Sequence, residues 1–131
     1  MESLSFDTTF LIDFQRERKA GKEGRAHQFL VNHAEKGAYL SVIAYGEYAE
    51  GFEDPYDPSF ISVVESFEII DITRKTAEHY ARITRKLRND GHLIGSNDLW
   101  IAAVALENSL PLVTDNSSHF ARVPDLRVFG Y

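Results

Sequence analysis

The sequence predicts an α/β fold, a three-layer domain whose central, mainly parallel sheet is flanked by helices. Short β-capable runs alternate with helical stretches of roughly 10–17 residues along the whole chain, the signature of βα units. The one helix that is apolar nearly all round, Leu99 to Leu106, belongs inside such a domain, packed on more than one side. At 131 residues and 44% apolar composition, the chain suits one compact domain over residues 1–131. It carries no internal repeat, low-complexity segment or linker.

Leu4-Ser5-Phe6 reads as the first strand, and Asp7-Thr8-Thr9 as a junction where Asp or Thr caps the next helix. Phe10, Leu11 and Phe14 have helical spacing, and that helix fades near Arg18 to Gly21. A second helix is expected from Arg25 to Lys36, closed by Gly37. Ala38 to Val42 is the second strand, and Ile43 to about Gly51 a helix carrying Glu47 roughly one turn in. In Asp54-Pro55-Tyr56-Asp57-Pro58 each Asp precedes a proline, which disfavours helix and makes a loop.

Phe60, Val63, Val64 and Phe67 repeat as on an amphipathic helix, and Glu68 to Ile72 is a third strand. Thr73 caps a long helix from Arg74 to Asn89, with Ala77, Tyr80, Ala81, Thr84 and Leu87 facing inward. Ser96 or Asn97 caps the apolar helix. Leu110 to Val113 is a fourth strand, Thr114 to Ser118 a loop and Leu126 to Phe129 a last strand.

Composition removes several classes of function. Without cysteine there is no disulfide framework and no thiolate metal site, and a reducing cytoplasm is the expected compartment. The N-terminus lacks the basic region and apolar run of a signal peptide, and no apolar run approaches the roughly 20 residues that span a bilayer. The net charge of -6 argues against a passive nucleic-acid binder. It leaves room for an enzyme acting on nucleic acid, because a cluster of metal-binding acids itself makes the total more negative.

Four acids fall at corresponding places in the predicted fold. Asp7 and Asp115 directly follow the first and fourth strands, Glu47 lies in the helix after the second, and Asp98 opens the apolar helix. In a parallel sheet Asp7, Glu47 and Asp115 lie at the carboxyl edge by chain order alone, and Asp98 joins them if its helix starts there, at the edge where α/β domains bind ligands. Each acid also has a plain structural explanation as a helix cap, a solvated helix residue or a turn former. Grouped carboxylates raise one another's pKa and are tolerated where a cation neutralises them. An all-oxygen set suits Mg²⁺ or Mn²⁺, which lowers the pKa of a bound water and offsets charge on a phosphoryl oxygen.

On these residues the chain resembles PIN-domain ribonucleases, and more narrowly VapC-type toxins of type II toxin–antitoxin systems. The resemblance rests on Phe6 to Asp13, Ser41 to Glu47, Asn97 to Ala103 and Leu112 to Asn116, with Phe120 and Leu126-Arg127-Val128 completing the order. It implies a PIN-like fold and a Mg²⁺- or Mn²⁺-dependent endoribonuclease that hydrolyses RNA with a metal-activated water. Asp7, Glu47 and Asp98 are then the metal-holding acids. Asp115 supplies a fourth ligand, or Asn116 orients a water, while Thr8, Thr114 and Asn116 position the substrate. The resemblance further implies a small antitoxin lying across the active-site groove, a homodimer formed through the early helices, and a larger toxin–antitoxin assembly. Other readings are a different metal-dependent phosphohydrolase, or a catalytically idle PIN-like module that only binds protein. The Asp7-Thr8-Thr9 start lacks the second Asp, two residues on, that a haloacid-dehalogenase-type phosphatase needs.

Arg82, Arg85 and Lys86 share one helix face, suited either to phosphate contact or to plain solvation. The five histidines, His27, His33, His79, His92 and His119, have no HxxxH or HxH spacing and read as surface or core residues, not zinc ligands.

Overall fold

The computed structural model describes residues 2–131. Its elements run β1 (Leu4–Phe6), α1 (Thr8–Ala20), α2 (Arg25–Asn32), β2 (Ala38–Ser41), α3 (Val42–Ala49), α4 (Pro58–Val64) and β3 (Glu68–Ile70). They continue through α5 (Arg74–Asn89), α6 (Ser96–Glu107), β4 (Leu112–Val113), α7 (Ser117–Phe120) and β5 (Val128–Phe129). The five strands pair in the order β3-β2-β1-β4-β5, every pair parallel. The sheet is therefore all parallel and not just mainly so. The chain steps outward from β1 on one side and then crosses to β4, so the switch point lies between β1 and β4.

The central strand is buried along its whole length: Leu4, Ser5 and Phe6 are all inaccessible. The hydroxyl that this buries donates to the Pro111 carbonyl at 2.8 Å, so it keeps a partner. Phe6 lies beside Val113 in the ladder, which makes Asp7 and Thr114 the first residues past the strand ends on either side of the switch. The Asp7 N–H still donates to the Val113 carbonyl at 2.9 Å. The sheet thus delivers a carboxylate and a hydroxyl to the same spot.

Several boundaries depart from expectation for identifiable reasons. Helix α2 stops at Asn32, four residues early, because the His33 Nδ1–H donates to the Phe29 carbonyl at 2.7 Å and its ring stacks on Phe29. Strand β2 ends at Ser41, whose hydroxyl accepts the Ala44 N–H at 3.0 Å and starts α3 at once. Phe67 lies beyond the end of α4 yet is buried against Phe6. Helix α5 keeps its expected bounds and its Thr73 cap, but it buries Thr76, Ile83, Thr84 and Leu87, while Ala77 and Ala81 face solvent. Helix α6 is capped by Gly95 without a side-chain bond, not by Ser96 or Asn97. A short helix, α7, replaces the end of the expected Thr114 to Ser118 loop.

Candidate active site

Asp7 occupies the N-cap of α1, and its Oδ1 accepts the Thr8 N–H at 2.7 Å. The plain structural reading of this residue therefore holds, but it uses only one oxygen. Oδ2 accepts the Thr114 hydroxyl at 2.7 Å and the Thr9 hydroxyl at 3.1 Å. Asp7 is 3% exposed and, among the described residues, has no Lys, Arg or His partner. Burial pushes its carboxyl above the ordinary carboxylate value; the Thr114 and Thr8 hydrogen bonds oppose that rise, and the nearby Asp98 charge adds to it.

Glu47 reaches the same place from α3. The Thr8 hydroxyl donates to its Oε1 at 2.7 Å and the Asn97 amide to its Oε2 at 3.1 Å. Thr8 thus ties the two acids together, its N–H on Asp7 and its hydroxyl on Glu47. Asp98, in the first turn of α6, is half-buried, and the His119 Nε2–H donates to its Oδ2 at 2.9 Å. The helix dipole favours an acid at this position, and the imidazole holds one of its oxygens.

The loop after β4 behaves differently. The Asp115 carboxylate, 46% exposed, turns to the Arg25 guanidinium at 3.6 Å, and its N–H donates to the Thr9 hydroxyl at 3.4 Å. The Asn116 N–H donates to the Thr114 hydroxyl at 3.0 Å, and its side chain is exposed. The structure ties Asp7 to Glu47 through Thr8 and places the Asp98 charge near Asp7, while the Asp115 carboxylate turns to Arg25.

Thr9, Asn97 and His119 belong to this site and were not singled out as site residues by the sequence. His119, read as a surface or core residue, is corrected to a partner of Asp98. No spacing rule marks it, because its position depends on α7 folding back toward α6. Thr9 lies two residues from Asp7 and Asn97 adjoins Asp98, so nearness in the chain to a candidate acid is the available signal.

Among the described residues, no three acidic or imidazole side chains stand close enough together to hold one ion unaided. The donor set still fits a hard divalent ion, which binds through one or two carboxylates and fills its remaining positions with water. A buried carboxylate without a basic partner, beside a second acid, is the arrangement that such a cation relieves.

The chain matches the PIN domain family over residues 5–126. It is 30% identical over 125 residues to Ribonuclease VapC1 of Methanocaldococcus jannaschii, a match spanning 95% of this chain and 81% of that protein. It is 32% identical over 133 residues to Ribonuclease VapC of Rickettsia bellii, spanning 95% and 93% of the two chains. Among solved structures, a chain of VapBC-1 from nontypeable Haemophilus influenzae superposes with a TM-score of 0.78 at 25% identity, over 97% of this chain and 96% of that one. Over nearly its whole length, then, this chain belongs to the PIN domain family and, within it, to the VapC ribonucleases.

Proposed function

We propose that this chain is a metal-dependent endoribonuclease acting as the toxin of a toxin–antitoxin pair. The observation that carries the reading is Asp7: a buried carboxylate with no basic partner among the described residues, raised in pKa and coupled to Asp98. When bound, Mg²⁺ or Mn²⁺ supplies Lewis-acid chemistry, lowering the pKa of water and offsetting charge on the phosphoryl oxygens. Asp7 and Asp98 would hold the ion, with Glu47 helping directly or through water. The Thr8, Thr9 and Thr114 hydrogen bonds keep Asp7 and Glu47 in fixed rotamers, so little ordering is left for the moment of reaction. Thr8 and Thr114 thereby act on substrate through the acids, whereas the exposed Asn116 side chain is free to meet the RNA itself. Asp115 is the outer member of the set, committed to Arg25.

An antitoxin partner is supported by the likeness to chains solved as VapBC-1 and as a toxin–antitoxin complex from Klebsiella pneumoniae, the latter at 27% identity with a TM-score of 0.71 over 97% of this chain and 96% of that one. A homodimer within a larger toxin–antitoxin assembly is part of the same proposal. No helix among the described residues is long and apolar enough to cross a membrane.

The test is RNA cleavage by the isolated chain in Mg²⁺ or Mn²⁺, with and without EDTA, beside a phosphomonoester control. Chelation is expected to stop cleavage, and Asp7→Asn or Asp98→Asn to slow it by at least about 100-fold while circular dichroism stays unchanged. Asp115→Asn is expected to cost less than about tenfold, because an exposed ion pair is worth roughly 1 kcal/mol or less. Undiminished cleavage by Asp7→Asn or in EDTA overturns the reading. Turnover of the phosphomonoester alone favours the other phosphohydrolase.

A further inference from the structure

A cavity of about 600 Å³ lies between α5, α6 and the segments that lead into β4 and β5. Residues just before a strand stand at the sheet's amino edge, so this cavity opens on the side opposite the acids. Its volume is in the range of functional binding sites, roughly 300–1,000 Å³. Ile83, Leu106 and Leu110 give it an aliphatic floor, and Arg82, Lys86 and Arg127 surround that floor with positive charge. Among the described residues, Asp125 is the one carboxylate in the lining, which also holds His79.

The three cations are not equally committed. Arg127 is held in place by Glu2 and by donation to the Ser109 carbonyl at 3.3 Å. Lys86 pairs with Asp90 at 3.2 Å, one turn on along α5. Arg82 is exposed and has no ion-pair partner among the described residues. On a chain of net charge -6, a basic rim around an apolar hole is a local arrangement and not the spill-over of a basic surface.

We propose that this cavity is a docking site for an acidic segment of a partner polypeptide, with one apolar side chain anchored on the floor and flanking carboxylates on Arg82, Lys86 and Arg127. The lining decides between occupants. Single-stranded nucleic acid is gripped by aromatic platforms along a basic track, and this lining has no Phe, Tyr or Trp among the described residues, its one ring being the His79 imidazole. An aliphatic pocket ringed by polar groups is the usual seat of a peptide anchor residue, and complementary charge at the rim selects which peptide enters. The site is independent of the acids at the carboxyl edge, so it stands or falls separately from the nuclease reading.

The experiment is fluorescence anisotropy with the full chain and a fluorescein-labelled Gly-Glu-Glu-Leu-Phe-Glu-Glu peptide, in EDTA. Saturable binding is expected below about 1 mM, with at least a tenfold loss (about 1.4 kcal/mol) when Leu-Phe is replaced by Ser-Ser. The double variant Arg82→Glu, Lys86→Glu is expected to lose at least about tenfold with an unchanged melting temperature, since both side chains are exposed. Leu110→Glu, which puts a charge on the half-buried floor, is expected to lose at least as much affinity, with its fold checked by circular dichroism. No binding up to that concentration, equal binding of the Ser-Ser peptide, or unaltered affinity in the double variant overturns the proposal. So does tighter binding of an oligouridine with the same dependence on Arg82 and Lys86, which assigns the cavity to nucleic acid.

Discussion

At Asp7 backbone and side chain are used together: Oδ1 closes the N-terminus of α1 and Oδ2 gathers the hydroxyls of Thr9 and Thr114. The same burial that makes it a good cap makes it a costly anion. Because the folded chain raises its pKa, the folded state binds that proton more tightly than the unfolded state. The stability this contributes is present when Asp7 is protonated and is lost as pH rises from the unfolded carboxylate value of about 3.9 through the raised one. Urea unfolding in EDTA across that window should show the wild type losing ground to Asp7→Asn as pH rises, and Mn²⁺ should restore it. A pH-independent difference between the two proteins would mean that Asp7 is ionised without penalty. Tyr48 shows the same physics at a neutral site, where burial pushes its phenol up to about 12 while the hydroxyl donates to Gln15 at 2.9 Å.

Among the helices, α5 and α6 are the pair that carries Asp98. The cap of α5 is anchored to the far end of α6, with the Thr73 hydroxyl donating to Glu107 at 2.5 Å and the Thr76 hydroxyl at 3.0 Å. Tyr80 stacks on the half-buried Trp100 with ring centroids 3.9 Å apart, covering one face of the indole. Thr84, on the inner face of α5, breaks this pattern, since its buried hydroxyl has no hydrogen-bond partner among the described residues. Replacing it with the isosteric valine removes that desolvated group. Thr84→Val should therefore stabilise the chain by about 1 kcal/mol, read as a rise of a few degrees in melting temperature. A fall instead would show that the hydroxyl bonds within its own helix in solution.

Over the whole molecule, a run of aromatic rings joins the sheet to its α1/α2 side. Phe10 is fully buried and its ring meets those of Phe6, Phe14, Phe29 and Tyr131 at centroid distances of 4.7, 6.2, 6.1 and 4.9 Å. That contact draws the last residue onto α1, where the Tyr131 hydroxyl donates to Asp13 at 2.6 Å and its carbonyl accepts from Arg25 at 3.1 Å. Burial, then the bond to Asp13, pushes the Tyr131 phenol well above its ordinary value. Phe10→Ala empties the centre of this cluster and is expected to cost about 3–5 kcal/mol, a large part of the roughly 5–15 kcal/mol that holds a domain folded. Chemical denaturation measures it, and a loss under about 1 kcal/mol would mean that the rings repack around the gap.

Periodicity and capping residues by themselves determined the βα alternation and the bounds of β1 and α5, and chain order singled out Asp7, Glu47 and Asp98 as candidates. Those signals are local: a strand is a short apolar run, a helix start is a Thr or Asp before a periodic stretch. The tertiary structure alone decided the early end of α2, the face that α5 buries, the turn of Asp115 toward Arg25 and the arrival of His119 on Asp98. Each of these depends on a partner far away in the chain or on a side chain competing for a backbone group. Such competition is resolved only when the layers pack, because until then no neighbour exists for the side chain to choose.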